Sequence, residues 1–150
     1  MTIAVDFDGT IVTHEYPKIG RDIPFAIATL KRLQKDFQVI LVLWTVREGR
    51  LLDEAVEYCR ERGLEFYAVN ANYPEENERE QQPRKLKADL FIDDRNLGGL
   101  PDWGVIYQMI ASGSHLQPVP TPVHDEYTQK KKGFLQSLLV FQVVFWHCMS

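Results

Sequence analysis

Along the chain, short apolar runs alternate with longer amphipathic stretches. Residues 2–6 read as a strand centred on Ile3, Ala4 and Val5, apolar on both faces as in a strand buried within a parallel sheet. Residues 13–22 form a polar loop containing Pro17 and Gly20. Residues 24–35 read as a helix, with Asp22 placed to cap it and Phe25, Ala28, Leu30 and Leu33 as candidates for burial. The run 37–45 reads as a second buried strand. Residues 48–62 are helical, because Leu51, Leu52, Ala55, Val56 and Cys59 recur at three- and four-residue spacing, and Gly63 supplies a stop. Residues 65–69 and 88–93 read as further strands, and the polar, acidic stretch 70–83 between them as loop. Pro101 then opens a short helix with Trp103, Ile106, Tyr107 and Ile110 along one face. The order β-α-β-α-β-loop-β-α predicts a parallel sheet with helices on both faces.

Composition narrows the picture only a little. A chain of 150 residues suits one domain with a single core, and its net charge of -4 argues against a nucleic-acid-binding surface. The two cysteines, Cys59 and Cys148, have no zinc-type spacing with the histidines, and Cys59 shares the apolar helical face. No signal-peptide pattern opens the chain, so a cytoplasmic location is expected.

The chemistry gathers at strand ends. Open parallel sheets bind ligands beyond the carboxyl ends of their strands. The first strand ends in Asp6 and Asp8, within Asp6-Phe7-Asp8-Gly9-Thr10; the second ends in Thr45, followed closely by Arg47; the fourth ends in Asp93 and Asp94. Packing explains the apolar runs but not carboxylates and a hydroxyl at the same end of three strands. The adjacent carboxylates Asp93 and Asp94 repel unless a cation or hydrogen bonds compensate. Such a cluster suits a hard cation such as Mg²⁺.

These segments, in this order, resemble the four motifs of the haloacid-dehalogenase (HAD) superfamily, whose members are mostly phosphatases. Asp6-Phe7-Asp8-Gly9-Thr10 resembles motif I and Thr45 motif II. Lys85-Leu86-Lys87-Ala88-Asp89 with Ile92-Asp93-Asp94-Arg95 resembles motifs III and IV. Leu43-Trp44-Thr45-Val46-Arg47 and Ile92-Asp93-Asp94-Arg95 are similar to a group of short bacterial and phage hydrolases. The resemblance covers residues 1–111 and implies a three-layer α/β/α sandwich with strand order 4-1-2-3. The intervals between motifs leave no room for a cap domain.

The resemblance also implies roles. Asp6 would be the nucleophile, giving an aspartyl-phosphate. Asp8 would protonate the leaving oxygen and then activate water, and its main-chain carbonyl would bind Mg²⁺ with Asp6, Asp94 and Asp93. Thr45 would donate to a phosphoryl oxygen. A lysine would offset developing charge, with Lys85 favoured by spacing and Lys87 the alternative. Arg47, Thr10, Asn70 and Lys87 are candidates for substrate contact, with Thr10 expected to order the motif I turn rather than touch substrate, and His14 could reach the site from its loop. Trp44 and Trp103 are expected in the core.

The implied partner is a phosphorylated substrate: a small metabolite, a glycan or a macromolecule. A phosphotransferase, or a phosphate-binding module without turnover, are the competing functions. Residues 112–133 read as linker. The apolar tail 134–150 is too short to span a bilayer. It reads as a docked helix, a contact with another copy, an anchor at a membrane surface beside Lys130-Lys131-Lys132, or a segment not native to the fold.

Overall fold

In the computed structural model, residues 1–76 and 85–116 are described. The elements are β1 (Thr2–Val5), α1 (Ala26–Phe37), β2 (Ile40–Leu43), α2 (Gly49–Glu61), β3 (Ala68–Val69), β4 (Leu90–Ile92) and α3 (Trp103–Ser112). Their order matches the hydrophobic pattern. All strand pairs are parallel, in the order β3-β2-β1-β4, with Ala4 level with Val42 on one side and with Phe91 on the other. Residues Met1–Ser114 form one compact unit, and His115–Ser150 a second. The expected linker starts one residue early, since Ser112 is the last residue of α3, and beyond residue 116 the linker and the tail lie outside the described residues. No helix among the described residues is long and apolar enough to cross a membrane.

The two faces of the sheet are covered differently. Ile3, Val5, Leu41, Leu43 and Ile92 pack in one core cluster with Ala26, Leu30 and Leu33 of α1, Ala55 and Cys59 of α2, and Trp103, Ile106 and Ile110 of α3. Full burial of a leucine such as Leu30 stabilises the fold by about 1.5–3 kcal/mol. The opposite face carries smaller residues, Ala4, Val42 and Ala68, and these pack with Ala71 and Leu86. Among the described residues, all three helices pack against the first face. The described residues that cover the second face, Ala71 and Leu86, come from the connection between β3 and β4.

Local differences from the sequence pattern have local causes. Helix α1 starts two residues later than expected, because the chain turns left-handed at Phe25 (φ 68). Phe25 is exposed, as is Ala28, and the buried stripe is Ala26, Thr29, Leu30 and Leu33. Asp22 does not cap the helix; it accepts from the Tyr58 hydroxyl at 2.7 Å. Phe37 closes α1 instead of opening β2, and the chain reverses at Gln38 (φ 51). Strand β3 is short because it pairs only with Val42 and Leu43. Gly63 ends α2 as expected: at φ 69 its N–H reaches the Arg60 carbonyl and the Leu64 N–H reaches that of Cys59. Cys59 is a core residue, with burial pushing its thiol up to about 12. That leaves it unreactive.

Candidate active site

The site begins where β1 leaves the sheet. The Asp6 N–H still bonds the Ile92 carbonyl at 3.0 Å, and Phe7 is fully buried beneath the turn. The amides of Thr10, Ile11 and Val12 then crowd the Phe7 carbonyl at 3.4, 2.9 and 3.2 Å. This tight turn places Gly9 at φ 90, a left-handed conformation that favours glycine. A Cβ at this position would stand 2.6 Å from Asp94 Cγ. Gly9 thus lets the first and fourth strand ends approach. Gly9→Ala is expected to displace the Asp94 carboxylate and weaken binding of a divalent cation to this cluster at least tenfold. Calorimetric titration checks this, with thermal melting as the control for folding.

Three carboxylates converge here. Asp6, Asp93 and Asp94 each offer an oxygen, and these oxygens all lie within 4.8 Å of one another. Thr10 ties two of them together: its hydroxyl donates to Asp6 Oδ2 at 3.4 Å and accepts from the Asp94 N–H at 3.0 Å. Asp93 Oδ1 accepts from the Arg95 N–H at 2.8 Å. Asp94 Oδ1 is buried and has no hydrogen-bond partner. A buried, unpartnered carboxylate oxygen among other carboxylates is costly unless a cation meets it. Three hard oxygens fit a hard divalent ion.

The electrostatics agree with that fit. Burial raises the Asp6 carboxyl from 3.8 to about 6; a hydrogen bond from the Phe7 backbone opposes the rise, and the charges of Asp93, Asp94 and Asp8 add to it. The cation-free fold thus keeps the Asp6 proton up to about pH 6. Its contribution to stability is complete below about pH 4 and is lost as pH rises through about 6. A cation competes with that proton. The affinity of the cluster for a divalent cation is expected to climb up to about pH 6 and level off above it, and melting with and without a chelator across this range would detect the coupling.

The second strand end is braced by a different network. The Thr45 N–H donates to Asn70 Oδ1 at 2.8 Å, the Asn70 amide donates to the Arg47 carbonyl at 3.4 Å, and the Arg47 N–H donates to the Thr45 hydroxyl at 3.3 Å. Arg47 is fully buried. Its Nε and Nη2 donate to the two carboxylate oxygens of Asp8, each at 2.7 Å. Its remaining N–H groups reach the carbonyls of Pro17 at 3.1 Å and Lys18 at 2.8 Å. The bond to Asp8 raises the guanidinium above its ordinary value, so it stays charged although buried. One side chain thereby locks the motif turn to the polar loop that follows it.

These positions redistribute the expected roles. Asp6, Asp8, Thr45 and Asp93 line one cavity of about 280 Å³, and Asp94 joins the acidic cluster beside it. Thr10 ties the turn rather than touching a ligand. Arg47 and Asn70 brace the site from behind, which corrects their assignment to substrate contact. The Asp8 carboxylate is held by Arg47 and stands outside the acidic cluster. Lys85 is exposed, with its ammonium over the Phe91 ring at 4.9 Å, and does not line the cavity. Lys87 is further away. Its N–H bonds Asn72 Oδ1, and it borders a separate cavity with Thr2 and Ile40, at the amino ends of β1 and β2. Substrate contact by Lys87 is corrected accordingly.

His14 and Arg95 do reach the cavity. Trp44 and Val46 also line it, and sequence reasoning missed both. Trp44 was expected in the core and is instead 36% exposed. Its position next to Thr45, one residue beyond the end of β2, was the available signal. Trp103 is buried as expected.

Fold and site together define a parallel α/β domain with an acidic, cation-suited centre at its strand ends. The solved structure of a conserved protein coded by a locus of Bacteroides thetaiotaomicron is similar, with 67% sequence identity and a TM-score of 0.71. The match covers 75% of this chain and 91% of that one, and the chain belongs to the family of that conserved protein. No protein-family model and no curated protein matches the chain.

Proposed function

We propose that the protein is a Mg²⁺-dependent phosphatase of the HAD type that hydrolyses a phosphomonoester through an aspartyl-phosphate. The observation that carries this reading is the convergence of Asp6, Asp93 and Asp94, with a buried Asp94 oxygen left unpartnered. A carboxylate nucleophile beside a cation site is what phosphoryl transfer to a side chain requires. The motif order along the sequence supports the same reading. An open cavity fits an uncapped enzyme, and the free buried thiol of Cys59 fits a cytoplasmic one.

In this reading Asp6 attacks phosphorus, the ester oxygen leaves with a proton, and water later cleaves the aspartyl-phosphate. Asp6, Asp93 and Asp94, with the Asp8 carbonyl, would hold Mg²⁺, which neutralises charge on the phosphoryl oxygens when bound. The Thr45 hydroxyl donates to the phosphoryl group. Asp8 is the acid and base. Both its oxygens accept from Arg47, and each keeps a second lone pair on which it can carry the proton. Lys85 is the nearer of the two lysines in register, since it lies over Phe91, which pairs with Ala4 in β1. Lys85→Ala is expected to lower kcat/KM at least tenfold and Lys87→Ala by less than twofold, read from steady-state kinetics.

The test is phosphate release from an aryl phosphate, with Mg²⁺ or with a chelator. Release that needs Mg²⁺ is the expected result. Release unaffected by the chelator would remove the cation from the account.

A further inference from the structure

Thr45 lies between two apolar side chains whose exposure packing does not explain. Trp44 is 36% exposed and Val46 is 67% exposed, and both line the cavity that holds Asp6, Asp8 and Asp93. A single exposed apolar residue is ordinary, whereas two beside a reactive centre invite a ligand. The backbone that carries Trp44 is anchored, because its main-chain N–H donates to the carbonyl of Val5, one residue before Asp6, at 2.8 Å.

The two flanks of β1 differ in character. On the β4 side stand Asp93, Asp94 and Arg95, which suit a cation and a phosphoryl group. On the β2 side stand Trp44 and Val46, one on either side of Thr45. A phosphoryl group held between the Thr45 hydroxyl and the charged flank leaves its organic substituent against the indole.

We propose that Trp44 and Val46 form the specificity wall of this site, and that its substrate carries a flat, unsaturated ring on the leaving group. The inference rests on the phosphatase reading for the reaction, though not for the binding. An indole face gains more from an aromatic ring than from a puckered ring of equal size, by about three- to tenfold in affinity.

The experiment titrates the full chain, in Mg²⁺, with benzylphosphonate and with cyclohexylmethylphosphonate. Wild type is expected to favour the benzyl compound about three- to tenfold. Trp44→Ala should abolish the preference and Trp44→Phe should keep part of it. Equal affinities in wild type, a preference that survives Trp44→Ala, or no binding of either compound would overturn the proposal. Hydrolysis of benzyl phosphate is followed in parallel. A ring preference without hydrolysis would defeat the phosphatase reading and leave the wall standing. Hydrolysis without a ring preference would do the reverse.

Discussion

Asp6→Asn is expected to abolish phosphate release, by roughly 10⁴-fold or more, as loss of a nucleophile does in enzymes with covalent intermediates. The substitution keeps the shape of the side chain and its contact with Thr10. It removes the attacking oxygen and one of three cation ligands. It also removes a carboxylate whose ionisation the cation-free fold disfavours. The mutant should therefore melt no lower than wild type in the presence of a chelator at neutral pH. Loss of activity with an unchanged or higher melting temperature separates a chemical role from a structural one. Retained turnover would transfer the nucleophile's role to another residue.

The second large effect is on stability. Arg47→Ala is expected to cost about 3–5 kcal/mol, the usual penalty for removing one partner of a buried ion pair. Asp8 would remain only 3% exposed with both oxygens unpartnered, and the carbonyls of Pro17 and Lys18 would each lose a donor. Arg47→Lys keeps the charge without the planar fork and should recover only part of the loss. Urea unfolding reads both, as a lower midpoint at constant slope. Because Arg47 also aims Asp8, the lysine variant should lose activity even where it is folded. A cost below about 1 kcal/mol for the alanine variant would show that Asp8 finds other partners.

Much of this architecture could be read from the residues. Apolar runs of four or five residues separated by amphipathic helices foretold the element order, because buried parallel strands and one-sided helices have different periods. The acidic cluster was readable too, since Asp6 and Asp93-Asp94 follow strands that parallel packing brings side by side. Arg47 was not. A charged residue after a strand looks solvated, and only the folded loop shows that Asp8 and the Pro17 and Lys18 carbonyls enclose it. Trp44 was misread for the opposite reason: it continues an apolar run, but lies one residue past the sheet that would have buried it. The lysines were ambiguous because two-residue spacing hides that Lys87 faces the amino ends of the strands.

The most direct measurement is the intact mass of the full chain, acid-quenched during turnover of an aryl phosphate in Mg²⁺, followed by mapping of any adduct. A phosphoryl group on Asp6, absent from Asp6→Asn, is the expected result. Phosphate release with no adduct on the chain, or with the adduct on another residue, would contradict the account.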